Sequence, residues 1–260
     1  MSDQFTTLTY DLHEGQAIIT LNRPAVMNAL NSRMRAELNE AVRQAGRQAR
    51  VLVLTGSGRA FCSGQDLVDA GDLAALDLAQ VLRAEYEPML NAIYDCPIPT
   101  IAAVNGAAAG AGANLALAAD VVIAAESARF TQAFTRIVLM PDAGGTWWLP
   151  RQAGFARAMG AMLFADPIPA RQAADWGMIW AALPDDEFEA GWRARAAQLA
   201  AGPTLAYAEI KAALRASYDN DLPAQLALEA AGQGRCGASA DFPEGVRAFL
   251  EKRAPRFTGS

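Results

Sequence analysis

The feature that most limits how this chain can fold is a pair of small-residue loops, each launched from a run of apolar residues. Val51 to Leu54 leads into Ala60-Phe61-Cys62-Ser63-Gly64-Gln65-Asp66, and Ile101 to Val104 leads into Asn105-Gly106-Ala107-Ala108-Ala109-Gly110-Ala111-Gly112. Short apolar runs bounded by glycine read as buried strands. Glycine and alanine let backbone approach backbone, or a ligand, without a side chain in the way. Taken singly, each loop reads as a glycine turn that ends a strand. Taken together, they can aim two exposed main-chain N–H groups at one oxygen, the arrangement that stabilises an oxyanion.

The rest of the chain alternates between two periods. Ala17 to Leu21 reads as a strand, and Met34, Leu38, Ala41, Val42 and Ala45 recur at helical spacing after the capping types Asn31 and Ser32. A strand over Val51 to Thr55, a helix from about Ala79 to Tyr94, a strand over Ile98 to Val104, a helix over Ala111 to Ala118 and a strand over Asp120 to Ala124 follow. Such alternation predicts an α/β layered fold. Beyond Trp192 the pattern is helical only, over Ala194 to Ala201, Thr204 to Tyr218, Leu222 to Ala231 and Phe242 to Lys252.

Composition removes several function classes. With 260 residues, 52% of them apolar, the chain can bury a full core without disulfides or metal. Cys62, Cys96 and Cys236 are an odd count without C-x-x-C spacing, and no basic-then-apolar leader precedes Tyr10, so a reducing cytoplasm is expected. The uncharged stretch from Cys96 to Ala119 contains Pro97, Pro99, Asn105 and Asn114 and reads as buried strand, loop and helix, not as a membrane span. A net charge of −6 opposes nucleic acid as a partner. The single histidine, His13, sits in a polar turn, which disfavours histidine metal sites and a Ser-His-Asp triad despite the glycine-flanked Ser57 and Ser63. Cys62 has no activating partner in sequence and reads as a packing residue.

The motif A-F-C-S-G-Q-D-L at Ala60 to Leu67, with P-x-P-T-I-A-A-V-N-G-x-A-x-G-x-G at Pro97 to Gly112, resembles the crotonase (enoyl-CoA hydratase/isomerase) superfamily. The likeness continues through P-D-A-G-G-T-W-W-L-P-R at Pro141 to Arg151, A-A-D-W-G-M-I-W at Ala173 to Trp180 and E-G-V-R-A-F-L-E-K-R at Glu244 to Arg253. It implies a ββα spiral core with an acyl-CoA site over residues 1–195 and a helical region for self-packing over 196–260. A homo-oligomer, trimer or hexamer, follows from the same resemblance. Within the superfamily, Ala156 to Gly160, the W-G-M-I-W block and the closing R-A-P-R-F-T-G most resemble the ring-1,2-epoxyphenylacetyl-CoA isomerases of phenylacetate breakdown.

Carried over by position, the resemblance puts the oxyanion donors on the backbone of Gln65 and Ala111, leaving the Gln65 side chain free to line the acyl pocket. Coenzyme A contacts fall on Ala25, Val26, Gln65, Asp66, Leu67, Val68 and Lys252, with Arg23, Arg59 and Lys252 as candidates for the phosphates. The two hydratase glutamates fall on Asn114 and Phe134, both assigned to the substrate pocket here, and neither can act as a base. Asp142 is the carboxylate that remains. Its apolar and aromatic neighbours raise a carboxylate toward the range useful for proton transfer, while its place just before Gly144 also suits a helix cap. Phe134, Trp147 and Trp148 suit an apolar acyl pocket or plain core packing. The expected activity is isomerisation of an acyl-CoA, with coenzyme A arriving as part of the substrate and no separate cofactor or metal. The alternatives are an enoyl-CoA hydratase, a fatty-acid Δ3,Δ2-enoyl-CoA isomerase, or a catalytically silent acyl-CoA-binding subunit.

Overall fold

The computed structural model describes residues 5–68 and 77–259. Strands β1 (Leu8–His13) and β2 (Gln16–Leu21) form an antiparallel hairpin. Its two-residue turn, Glu14-Gly15, has positive φ at both positions, the mirror-image geometry that matches the twist of paired strands. His13 closes this hairpin at the surface, as its sequence position suggests. Helix α1 (Ser32–Gln48) then begins under an Asn31 side chain that accepts from the Met34 N–H.

Three turns of a spiral follow. The first is β3 (Val51–Gly56), β4 (Ala60–Cys62) and a helix in three parts: α2 (Leu78–Val81), a π-helical turn (Leu82–Tyr86) and α3 (Glu87–Tyr94). The second is β5 (Thr100–Val104), β6 (Ala107–Ala109) and α4 (Ala111–Leu117). The third is β7 (Val121–Ala125), β8 (Arg129–Thr131), a 3₁₀ turn (Ala133–Ile137) and α5 (Gly145–Ala153). Then come α6 (Phe155–Phe164), β9 (Ile168–Pro169), α7 (Ala170–Asp175), β10 (Ala181–Leu183), α8 (Asp185–Ala200), α9 (Thr204–Ala216), α10 (Leu222–Gly237) and α11 (Asp241–Glu251). The long strands make one sheet in the order β1-β2-β3-β5-β7-β10, and the short ones a second in the order β4-β6-β8-β9.

Burial on both faces explains the continuous apolar runs. Leu52, Leu54, Ala102 and Val104 point into the main core, whereas Val51, Val53, Ile101 and Ala103 meet Phe188, Trp192 and Ala196 of α8 on the other side. The uncharged stretch is β5, β6 and α4, all interior apart from the strand ends. No described helix is long and apolar enough to cross a membrane.

The structure departs from the sequence reading in places. Both glycine loops contain short strands, β4 and β6, too short to show a period of two. Helix α8 starts at Asp185 instead of Ala194 and runs on through residue 195. Its acidic first turn, Asp185-Asp186-Glu187, complements the positive helix end. The C-terminal helices are tied to the sheet by polar contacts: Asp120 pairs with Lys211 and Arg215 of α9, each at 2.7 Å, and Arg50 donates to Thr204 Oγ1 and the Phe257 carbonyl.

Candidate active site

The first loop is fixed by an isolated parallel bridge between Leu30 and Gln65. Leu30 N donates to Gly64 O at 2.7 Å, and Asp66 N donates to Leu30 O at 3.2 Å. In such a bridge the residues flanking Gln65 make the bonds, so the Gln65 N–H itself points away from Leu30. The second loop ends at Gly110, whose φ of 52° and ψ of −127° turn the chain into α4. Ala111 is the first residue of that helix, where an N–H has no intrahelical acceptor. Neither the Gln65 nor the Ala111 N–H meets an acceptor among the described residues.

The two loops touch. A Cβ on Gly64, where φ is +93°, would stand 2.8 Å from Ala109 O and 3.4 Å from Ala111 N. A Cβ on Gly112 would collide with the Cys62 carbonyl. Backbone therefore packs directly on backbone here. The buried Asn28 holds the arrangement from behind, its amide donating to the Ser57, Ala60 and Phe61 carbonyls.

Asp142 enters from the third spiral turn. It precedes two left-handed residues, Ala143 (φ 49°) and Gly144 (φ 78°), and α5 starts after them with no side-chain cap. The capping role is thus excluded by geometry. The Asp142 Oδ1 is buried without a hydrogen-bond partner, and burial pushes the carboxyl from 3.8 up to about 6. Its main-chain carbonyl is doubly held, by Gly145 N at 2.9 Å and by Asn114 Nδ2 at 2.8 Å.

This corrects the expectation for Asn114. It has no solvent exposure, accepts from Gln132 Nε2 at 2.8 Å and donates to Asp142, so both ends of its amide are engaged inside the protein and not with a substrate. The Gln65 side chain also departs from its expected place. Its Oε1 accepts from the Tyr86 hydroxyl at 2.5 Å and from Arg35 Nη1 at 3.0 Å, which draws it back into the protein. Arg35 is only 3% exposed, pairs with Glu85 at 2.7 Å and also donates to Leu30 O. Its guanidinium lies 4.8 Å from the Tyr86 ring centroid. Burial raises the Tyr86 hydroxyl, and the nearby Asp142 charge raises it further, so it stays a neutral donor. Sequence reading missed Arg35, Tyr86 and Gln132. Arg35 lies on the buried face of α1, at Met34's side, where an apolar residue is the default, and Tyr86 is aimed by a π turn that no periodicity announces.

The Phe134 ring covers the start of α4, since a Cβ on Gly110 would stand 3.7 Å from its Cζ. Trp148 donates to Ala143 O at 3.3 Å, packs on the core and stands edge-on to Trp147, and both rings contact Tyr94 in an aromatic cluster that Tyr218 joins through Trp147.

Four of the residues expected to meet coenzyme A, Ala25, Val26, Leu67 and Val68, lie exposed on the segments that flank the first loop. Ala25 and Val26 lie on an exposed 3₁₀ turn (Pro24–Val26) tied to the first loop by Ser63, which donates to Met27 O and Val26 O. Leu67 and Val68 follow on the surface, Val68 at 92% exposure. Asp66 is nearly buried and paired with Arg23 at 2.7 Å, so Arg23 is already neutralised, contrary to its place among the phosphate candidates. Arg59 is exposed between β3 and β4. Lys252 is exposed at the end of α11, a helix that packs on α10. Among the described residues no cluster of three metal-ligating side chains occurs.

A model of the enoyl-CoA hydratase/isomerase family matches residues 11–260. The chain belongs to that family. It is 67% identical over 255 residues to a Rhodobacter capsulatus protein described as "Probable enoyl-CoA hydratase", covering 98% of this chain and 99% of that one. It is 46% identical to the "1,2-epoxyphenylacetyl-CoA isomerase" of Escherichia coli K12, covering 95% and 97%. The solved enoyl-CoA hydratase of Bacillus anthracis superposes with a TM-score of 0.91 at 32% identity, covering 98% of this chain and 100% of that one. The ββα spiral is therefore the crotonase fold, and the chain is an enzyme of the hydratase/isomerase family.

Proposed function

We propose that this family member is an acyl-CoA isomerase that rearranges the ring-1,2-epoxide of phenylacetyl-CoA to the oxepin thioester and can also shift a Δ3 double bond to Δ2. One observation carries the reading. Asp142 is a half-buried carboxylate whose Oδ1 has no hydrogen-bond partner and whose pKa is raised to about 6, while the resemblance assigns the positions of the hydratase glutamates to Asn114 and Phe134. The likeness to the Escherichia coli epoxyphenylacetyl-CoA isomerase supports the choice of acyl group.

In this reading the thioester oxygen sits between the N–H groups of Gln65 and Ala111. Asp142 takes a proton from the carbon next to the thioester, and the electron pair moves onto that oxygen as an enolate. With a 3-enoyl chain the pair delocalises over the double bond. The proton held by Asp142 is returned two carbons farther on, leaving the double bond conjugated with the thioester. With the epoxide, loss of the side-chain proton is followed by opening of the ring bond shared with the epoxide and return of the proton to a ring carbon. Nothing is oxidised or reduced, and no group beyond substrate and Asp142 is consumed. Phe134 over the start of α4 makes that side of the pocket apolar and keeps water from the enolate.

A second reading, water addition, is favoured by the description of the Rhodobacter capsulatus relative. A side-by-side spectrophotometric assay separates the two. Isomerisation of a 3-enoyl-CoA should run at enzymatic turnover, and hydration of crotonyl-CoA should be far slower. Hydration at about 1 to 1,000 per second would refute the isomerase reading.

A further inference from the structure

Helix α4 carries the Ala111 N–H at its first residue and Asn114 one turn later, at the i, i+3 positions that share a helix face. The Asn114 amide is threaded in one direction: Gln132 Nε2 donates to its Oδ1 at 2.8 Å, and its Nδ2 donates to the Asp142 carbonyl at 2.8 Å. Both amide residues are buried, Asn114 at 0% and Gln132 at 1% exposure. The turn they hold is under strain. Ala143 has φ 49° although it carries a Cβ, and Gly144 follows at φ 78°. Non-glycine residues adopt that region only where their surroundings over-determine it. Gly145 completes the fit, because a Cβ there would collide with the Asn114 amide. The same helix is anchored to β8 at its start, where Gly110 N donates to Thr131 O at 2.8 Å, next to Gln132.

We infer that Asn114 is a positioning residue for the Asp142 base, and that the first turn of α4 gauges the spacing between the thioester oxygen and the proton acceptor. This rests on the isomerase reading above. Only a neutral amide can fill the position, since one end must accept and the other donate. An ionised carboxylate at 114 has no donor for the Asp142 carbonyl. It also sets a second negative charge near a base whose carboxyl is already partly desolvated. Position 114 thus exchanges direct chemistry, possible for a glutamate, for support of a base on another segment. Released from Asn114, the strained turn relaxes and Asp142 moves relative to the substrate carbon, while the two N–H donors stay in place.

Asn114→Asp is isosteric and tests this, with Asp142→Asn as control. Turnover of a 3-enoyl-CoA by Asn114→Asp should fall by about tenfold to a hundredfold, the usual consequence of a misplacement near 1 Å. Dissociation constants for saturated acyl-CoA should stay within about threefold, because the donors that hold the thioester are main chain. The infrared carbonyl band of the bound thioester should not move. The double variant should be no slower than Asp142→Asn alone, since the two residues act on one step. If Asn114→Asp does not fold, Gln132→Met removes only the donor to Asn114, and the same pattern, a loss in kcat with unchanged binding and carbonyl band, is expected. Wild-type turnover in the Asn114 variant, with Asp142→Asn inactive, overturns the positioning role alone. A shifted carbonyl band or lost binding also overturns it, by showing that Asn114 supports the whole loop. Full activity in Asp142→Asn overturns the base assignment, and the positioning role with it.

Discussion

Replacing Asp142 with Asn should stabilise the protein while disabling it. In the fold the residue is half-buried with its Oδ1 enclosed and without a hydrogen-bond partner, and burial raises its pKa from 3.8 to about 6. The folded state therefore binds a proton more tightly than the unfolded one. The contribution of this group to stability is greatest below about pH 4, where it is protonated in both states, and falls as pH rises toward 6. Above that range the carboxylate is charged in both states and its burial cost is complete. A rise of about two pH units at about 1.4 kcal/mol each sets an upper bound of about 3 kcal/mol. Partial solvation of the group brings the expected value to about 1–3 kcal/mol. Asn keeps the size and removes the charge, so urea unfolding at pH 8 should show Asp142→Asn more stable by that amount, with the difference vanishing near pH 4. The wild-type m-value should be retained, so that the change is one of stability and not of compactness. An Asn variant that is equally or less stable at pH 8 would refute the reasoning. It would mean that the carboxylate has a stabilising partner in the fold, as a helix cap would.

Three further outcomes follow from the same geometry. Because Asp142 must be ionised to accept a proton, kcat/KM for isomerisation should fall as pH drops below about 6 and level off above it, checked by a pH–rate profile with and without Asp142. Gly64→Ala puts a Cβ at φ +93° and 2.8 Å from Ala109 O, so it should push the loops apart and lower kcat by about a hundredfold or more with the protein still folded by circular dichroism. The exposed apolar residues Phe155, Leu163 and Phe164 of α6, with Phe249 and Leu250 of α11, should be covered by other copies of the chain, so light scattering should report a trimer or hexamer and not a monomer.

What the sequence disclosed, and what it hid, divides along physical lines. The loops around Gly64 and Gly110 were legible because apolar runs ending in small residues have few uses other than close backbone approach. The helical C-terminal region was legible because its periodicity persists over four helices. Asp142 was visible as a candidate, but whether it caps a helix or sits unpartnered depends on Ala143 and Gly144 both adopting left-handed geometry, which a sequence does not display for alanine. The inward engagement of Asn114 is not legible because its partners, the Asp142 carbonyl and Gln132, and the glycine packed against it, Gly145, belong to segments far from it in the chain. The Arg35–Gln65–Tyr86 cluster was invisible for the same reason: its members belong to three segments, and a π turn supplies the last of them. Strands β4, β6 and β8 span three residues each, too few to establish an alternation.

The central claim is that Asp142 moves the proton next to the thioester, held by the donors on Gln65 and Ala111. It is tested most directly by following exchange of the α-protons of a bound acyl-CoA in deuterated solvent by NMR, with wild type and Asp142→Asn in parallel. Exchange isolates the proton-transfer step from ring opening and from any later double-bond shift. The account predicts rapid exchange in the wild type and a loss of about a hundredfold to ten-thousandfold in the variant, with acyl-CoA binding retained. Exchange at the wild-type rate in Asp142→Asn would contradict it and move the base to another residue.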